Sequence, residues 1–382
     1  MHKWDYHLDN VSIEDYRNYV INILKHRSKV IEEIFAVKLT KAIKAKPRVK
    51  RKLKSSSEVF ELKAYILGYD VDLKSSSGIE IPLRIASNSS ITLDRDNVVT
   101  FMRLSSLGGH PIPNPWSRTF IGLGKIPLNN LNGRIKLHGE PVLYPLVSVE
   151  RVEDPRIYVD DVLKELYHVR AIKPYKSIDG YNDVNEYVIT FTSKLDDNWK
   201  PRKIEPIRFK HQGEEYIISD YRDTFPLNKE FMIVRPWISK FKIGGILIAE
   251  RDDVVVDPAS TRAYPELMPL EWERKTGGNC VAKLSRNEYL LFFHGVDDLF
   301  GTYHTYVALL SDSGELLGVS PEPVITPRPK DYIGARPSTV FVCGAQVIKD
   351  KIIVSAGKDD EITILLEAEV DKLLSRIEYI QG

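Results

Sequence analysis

The sequence predicts an all-β fold, a five-bladed β-propeller preceded by an N-terminal helical extension, on three observations. From Val59 onward the helical period disappears, and short runs of Val, Ile, Tyr, Phe and Thr alternate with Gly, Pro, Asn and Asp. Roughly twenty such runs can be counted, too many for one sandwich, with too few helices between them for βαβ units. The chain has 382 residues and is 43% apolar, enough for a large core. Radial repetition hides the edges that so many strands would expose, and about 60 residues per blade would fill the region. No motif recurs at a fixed period, so the propeller rests on the count.

Taken in order, residues 12–45 read as helix, because Ile13, Tyr16, Val20, Ile23, Ile31, Ile34 and Val37 recur on one face. Ser12 and Asp15 resemble a capping box. The apolar face must be covered by the chain's own blades or by a second copy, which makes a homo-oligomer one expected partner. Lys41–Lys54 carries eight cations and no anion. A solvated helix end and linker is the expectation; a patch for phosphates or acidic surfaces is the alternative.

Strands are expected at Val59–Leu67, Ile79–Ile85, Val98–Leu104, Tyr187–Thr192, Phe231–Arg235, Tyr289–His294, Thr305–Leu310, Val340–Val347 and Ile352–Ala356, and a closing helix at Glu367–Ile377. The implied division is a helical, basic arm over 1–58 and a catalytic unit over 59–382.

Composition narrows the function. Lys plus Arg total 54 against 53 for Asp plus Glu, so no whole-protein field draws the chain to nucleic acid or an anionic membrane. No apolar run approaches the ~18–20 residues of a membrane span, and Met1-His2-Lys3-Trp4-Asp5 does not open a signal segment. Cys280 and Cys343 alone make neither a disulfide framework nor a zinc site. A soluble, cytoplasmic protein without metal is expected. Phosphate-binding Gly loops, Gly-x-Ser-x-Gly and His-Glu-x-x-His are all lacking. His294 and His304 are expected as structural donors more than ligands.

Glu153-Asp154-Pro155-Arg156 is the most informative segment. In a regular strand Glu153 and Asp154 would point to opposite faces, so one alone would reach a given cavity. The plain alternative is a turn in which Asp154 pairs with Arg156.

That segment, followed by Phe293-His294-Gly295-Val296, Tyr303 to Leu310, Pro321-Glu322-Pro323-Val324-Ile325-Thr326-Pro327, Pro337 to Ala345 and Gly357-Lys358-Asp359-Asp360, resembles glycoside hydrolase family 130 in motifs and in their order. These are the inverting β-mannoside phosphorylases and related mannosidases. Asn88 and Ser89, with Arg103 fifteen residues past Asn88, match the family's upstream sugar-binding positions. The resemblance runs from about residue 80 to the C-terminus. It implies a five-bladed propeller with Asp154 as general acid, and Asn88, Ser89, Arg103, Arg156, His294 and Asp360 around the sugar. It also implies an oligosaccharide partner and no organic cofactor, with inorganic phosphate as co-substrate. A single acid suffices for inversion when phosphate is the nucleophile, whereas water needs a second carboxylate as base.

The anion site departs from the family pattern. A Leu-His-Arg-Pro segment reads Ile233-Val234-Arg235-Pro236, and Phe-Pro-Glu-Lys reads Phe225-Pro226-Leu227-Asn228. Arg170 or Lys173, Arg235 and Tyr303 are the expected phosphate ligands, while Arg222, Arg274 and Lys275 are expected mainly as surface charges. Asp220, Asp223, Glu230 and Glu273 are the carboxylates available as a hydrolytic base. Trp116 and Trp237 offer indole faces for a sugar ring or for packing. Phosphorolysis is slightly favoured over hydrolysis; a catalytically inactive sugar-binding propeller is the reading of another class.

Overall fold

The structure, a computed structural model of the chain, describes residues 28–53, 59–74, 78–106, 119–145, 150–172, 187–238, 240–328 and 334–380, with 18, 22, 25 and 26. Ser12, Asp15, Trp116 and Lys173 lie outside the described residues. More than half of the described residues are strand, as their β-branched and aromatic runs dictate. Among the described residues the strands form four hydrogen-bonded sheets, which do not close on one another through backbone pairing.

The largest sheet contains two four-stranded meanders. One runs Ile85–Asp94, Asn97–Ser105, Phe120–Pro127, Leu137–Leu143. The other runs Val340–Ile348, Lys351–Lys358, Ile362–Glu369 and then Glu61–Ile66, so the first strand among the described residues completes this meander. A single parallel pair, Ile362 with Ala86, joins them. The second sheet is Arg151–Val159, Lys164–Ile172, Tyr187–Leu195 and Pro201–Pro206. The third is built on Phe225–Pro226, Phe231–Val234 and Leu247–Asp252, and the fourth on Glu273–Lys283, Glu288–Asp297, Tyr303–Ser311 and Leu316–Val319. The leading strands pack in succession: Ile85–Asp94 beside Val340–Ile348 and Arg151–Val159, Val340–Ile348 beside Glu273–Lys283, and Arg151–Val159 beside Phe225–Pro226.

Four of these leading strands carry a bulge, at Ser87/Ser90, Glu153/Arg156, Gly278/Cys280 and Val342/Gly344. A bulge bends the strand and re-aims a side chain that strict alternation would send elsewhere.

Two expected helices change. The N-terminal periodic segment is interrupted at Ser28, whose backbone is extended, and the described helix is Lys29–Lys44. It buries Ile31, Phe35, Leu39 and Ala42, while Val37, expected on that face, is 69% exposed. Phe35 meets Phe209 and Tyr221 edge-on and tilted, at 5.7 Å each, so this apolar face is covered by the chain's own third sheet. At the C-terminus, Glu367–Glu369 is strand, because Ile362–Glu369 pairs on both sides; the helix is the five residues Val370–Leu374. Ile79–Ile85 contributes only an isolated bridge at Glu80 and the first residue of a strand.

The basic run also departs from expectation. Arg51 is buried, its guanidinium donating to both Glu273 oxygens at 2.9 and 2.8 Å and to the Glu266 and Met268 carbonyls, and it lies over the Phe293 and Tyr306 rings. One cation of an apparently solvated linker therefore pins that linker to the fourth sheet.

Candidate active site

Where the leading strands converge there is a cavity of about 300 Å³ lined mainly by charged side chains. Its residues form two groupings drawn from different sheets.

The first grouping centres on Asp154. Asn88 Nδ2 donates to Asp154 Oδ1 at 2.8 Å and to Asp360 Oδ1 at 3.3 Å. The Arg103 guanidinium lies 3.1 Å from Asp360 and 3.7 Å from Asp154, and donates to Ser87 Oγ at 3.0 Å. Asn88, Asp154 and Asp360 all have positive φ, at 47°, 52° and 57°. At the bulges of Asn88 and Asp154 this conformation turns both side chains into the cavity, so Glu153 and Asp154 line it together. The expectation that only one would do so fails because the strand does not alternate there. Burial pushes the Asp154 carboxyl above the usual range, opposed by Arg103 and helped by Glu153. Burial also acts on Glu153, but Arg222, Arg151 and Arg103 outweigh it and hold that carboxyl below the usual range.

The second grouping is cationic. Arg222, Arg235, Lys275 and Arg336 line the cavity with His294, Tyr303 and one carboxylate, Asp223. Asp223 is bridged at 2.6 Å by Arg156 and at 3.1 Å by Arg235; burial is overcome by Arg235 and Arg156, which hold it well below the carboxylate range. Burial, with Arg235, Arg336 and Arg222, pushes the Lys275 ammonium well down. Among the described residues no carboxylate lies within 4 Å of Lys275. Burial, Lys275 and Arg235 likewise keep His294 neutral; its Nδ1 pairs with Asn279 Oδ1, and its Nε2 has no hydrogen-bond partner among the described residues.

Two glycines make these approaches feasible. A Cβ on Gly357 would fall 1.8 Å from Asn88 Oδ1, and one on Gly277 2.7 Å from both Asp223 Oδ2 and the His294 ring.

Of the sequence-expected residues, Asn88, Arg103, Asp154, Arg235, His294, Tyr303 and Asp360 converge on this cavity. Ser89 does not: its hydroxyl pairs with Ser355 between two strands. Arg156 sits beneath the wall, donating to the Asn279 and Asp154 carbonyls as well as to Asp223; it does not pair with the Asp154 carboxylate. Arg170, opposite Val152 on the next strand of its sheet, is consumed by Glu150 at 2.9 Å and by His168. Val234 is buried in the third sheet's core. Among the carboxylates considered as a base, Glu273 is taken by Arg51, Glu230 is exposed beside Lys229, and Asp220 lines a neighbouring cavity. His304 approaches Asp297 and Thr326, and no metal-type cluster occurs among the described residues. Lys275 is not the surface charge expected of it. Arg151 and Arg336 were missed, since neither stands in a motif with a recognisable chemical role.

A recessed, strand-built cavity with one raised carboxyl among charged and hydrogen-bonding side chains suits acid catalysis on a polar substrate, and the family match makes the protein a carbohydrate-active enzyme, a glycoside phosphorylase or glycosidase. Residues 54–378 match the family model described as beta-1,4-mannooligosaccharide phosphorylase, and the chain belongs to glycoside hydrolase family 130. Among solved structures it is similar to the beta-1,2-mannobiose phosphorylase from Listeria innocua (15% identity, TM-score 0.56, covering 85% of this chain and 94% of that one). It is also similar to a glycosyl hydrolase from Bacteroides ovatus (15% identity, TM-score 0.53, 86% and 95%). A third is a member of the same family reported with glycoside hydrolases that target beta-1,2 mannosidic linkages in Candida mannan (14% identity, TM-score 0.53, 84% and 97%). No curated protein matches the sequence. At these identities the structural likeness is one of fold. No helix among the described residues is long and apolar enough to cross a membrane.

Proposed function

We propose that the chain is an inverting β-mannoside phosphorylase that uses inorganic phosphate to release mannose 1-phosphate from an oligosaccharide. The observation that carries this reading is the cationic grouping of Arg222, Arg235, Lys275 and Arg336, set beside carboxylates that guanidinium groups hold down. Hydrolysis needs a carboxylate able to take a proton from water, and one held well below the usual range is a weak base. A dianion needs no such base; it needs cations and donors. Asp154, whose carboxyl burial pushes above the usual range, gives its proton to the leaving oxygen. Asn88, Arg103 and Asp360 hold the reacting sugar, Arg156 fixes Asp223 and the Asp154 backbone, and the four cations with Tyr303 and the neutral His294 receive the phosphate.

The same reading makes the architecture a five-bladed propeller. It is supported by the succession of leading strands around the cavity and by the closing strand Glu61–Ile66. Residues 1–58 form its arm and 59–382 its catalytic unit, working in the cytoplasm without metal or organic cofactor. The test incubates the protein with β-1,2- and β-1,4-mannobiose, with and without phosphate. Mannose 1-phosphate formed only with phosphate is the expected result; free mannose regardless of phosphate identifies an inverting mannosidase instead.

A further inference from the structure

A second cavity of about 430 Å³ abuts the first and shares three of its cations, Arg222, Arg235 and Lys275; beyond them it is lined by Asp220, Trp237, Lys242 and Arg274. Lys242 and Arg274 are exposed, and among the described residues neither has a carboxylate within 4 Å. Arg222 and Arg235 face a carboxylate on the inner side, Glu153 and Asp223 respectively. Five basic side chains and one carboxylate, Asp220, thus line the annex, in a chain whose overall formal charge is only +1. A recess lined by one sign of charge focuses the field and raises the local concentration of the opposite ion. Its volume exceeds what one tetrahedral oxyanion needs, because a water's share of liquid volume is only about 30 Å³.

We infer that this annex is a second oxyanion site, which captures inorganic phosphate from solvent at Lys242 and Arg274 and passes it along Arg222, Arg235 and Lys275 to the nucleophile position. The inference rests on the phosphorolytic reading and adds to it a site that the reacting sugar does not touch. It explains why the cations extend outward past the catalytic cavity: a dianion advancing inward exchanges one guanidinium or ammonium for the next without crossing an uncharged stretch. The single turn of chemistry is unchanged; the annex acts on how phosphate arrives.

The experiment titrates inorganic phosphate into the whole chain at constant ionic strength, for the wild type, for Lys242→Gln/Arg274→Gln, and for the charge-keeping Lys242→Arg/Arg274→Lys. Both positions are exposed, so none of the variants disturbs the core. The wild type should bind two phosphates and the neutral variant one, with the charge-keeping variant returning to two. In turnover of whichever mannobiose is cleaved, the neutral variant should show a KM for phosphate raised about tenfold, an unchanged kcat, and a flatter dependence of kcat/KM on salt. One phosphate bound by wild type and neutral variant alike, with mannose 1-phosphate still produced, overturns the annex and leaves the phosphorylase standing. No phosphate bound by the wild type, with free mannose as product, overturns both.

Discussion

Asp154 holds a left-handed backbone conformation, which costs a non-glycine residue roughly 1–2 kcal/mol and persists only where its surroundings insist on it. Here they do: Arg156 grips its carbonyl, and Asn88 meets its carboxylate from another strained position. Asp154→Asn keeps the shape but cannot donate an acidic proton. Turnover should fall by ~10²–10⁴, with sugar affinity changed little in a binding assay. The pH profile supplies a second check. An acid works while protonated, so activity should fall as pH rises through the raised Asp154 value. The charge on Glu153 contributes to that elevation, and Glu153→Gln should move the alkaline limb to lower pH. Asp223 behaves oppositely in stability. Its depressed value means that its contribution is fully present above the ordinary carboxylate pKa and is lost as pH falls through the folded value; Asp223→Asn should flatten the acid limb of an unfolding curve against pH. Much of this grouping was legible in the sequence, because Asn88, Arg103, Asp154 and Asp360 stand in ordered motifs. Glu153 as a lining residue was not, since period-two alternation says nothing of a bulge, and Arg336 and Lys275 carry no signal but their charge.

At the scale of elements, the helix Lys29–Lys44 and the segment after it are bound to the β-structure by unlike means. The helix is held by Phe35, Leu39 and their neighbours against the third sheet, and the segment by Arg51 beneath the fourth. Removing one partner of a buried pair leaves the other charged and unsolvated, so Arg51→Met should cost about 3–5 kcal/mol, seen as a lower midpoint in thermal unfolding. Joint replacement with Glu273→Met should recover much of that loss. Neither contact could be read from the sequence. Periodicity finds an apolar face but not its partner, and a cation inside a basic run looks like its solvated neighbours until Glu273, 222 residues away, is seen to meet it. By contrast, eight of the nine strands named from the sequence match observed strands, with ends that differ by at most three residues. The exception is Ile79–Ile85, apolar at intervals but held by only one bridge.

The molecule as a whole is joined at Glu61–Ile66, which pairs along Ile362–Glu369 and also touches Gly133 and Arg134. If that strand is integral, Ala64→Pro, which removes a backbone donor at a fully buried position, should lower a single cooperative unfolding transition. Two separate transitions in calorimetry would show the last meander melting alone.

Pairing of Glu61 with Glu367 also sets a timetable for synthesis. At roughly 5–20 residues per second the first strand spends about 15–60 s outside the ribosome before its partner emerges. During that interval an edge bearing Ala64 and Ile66, both buried in the folded chain, is open to pairing with any extended chain nearby.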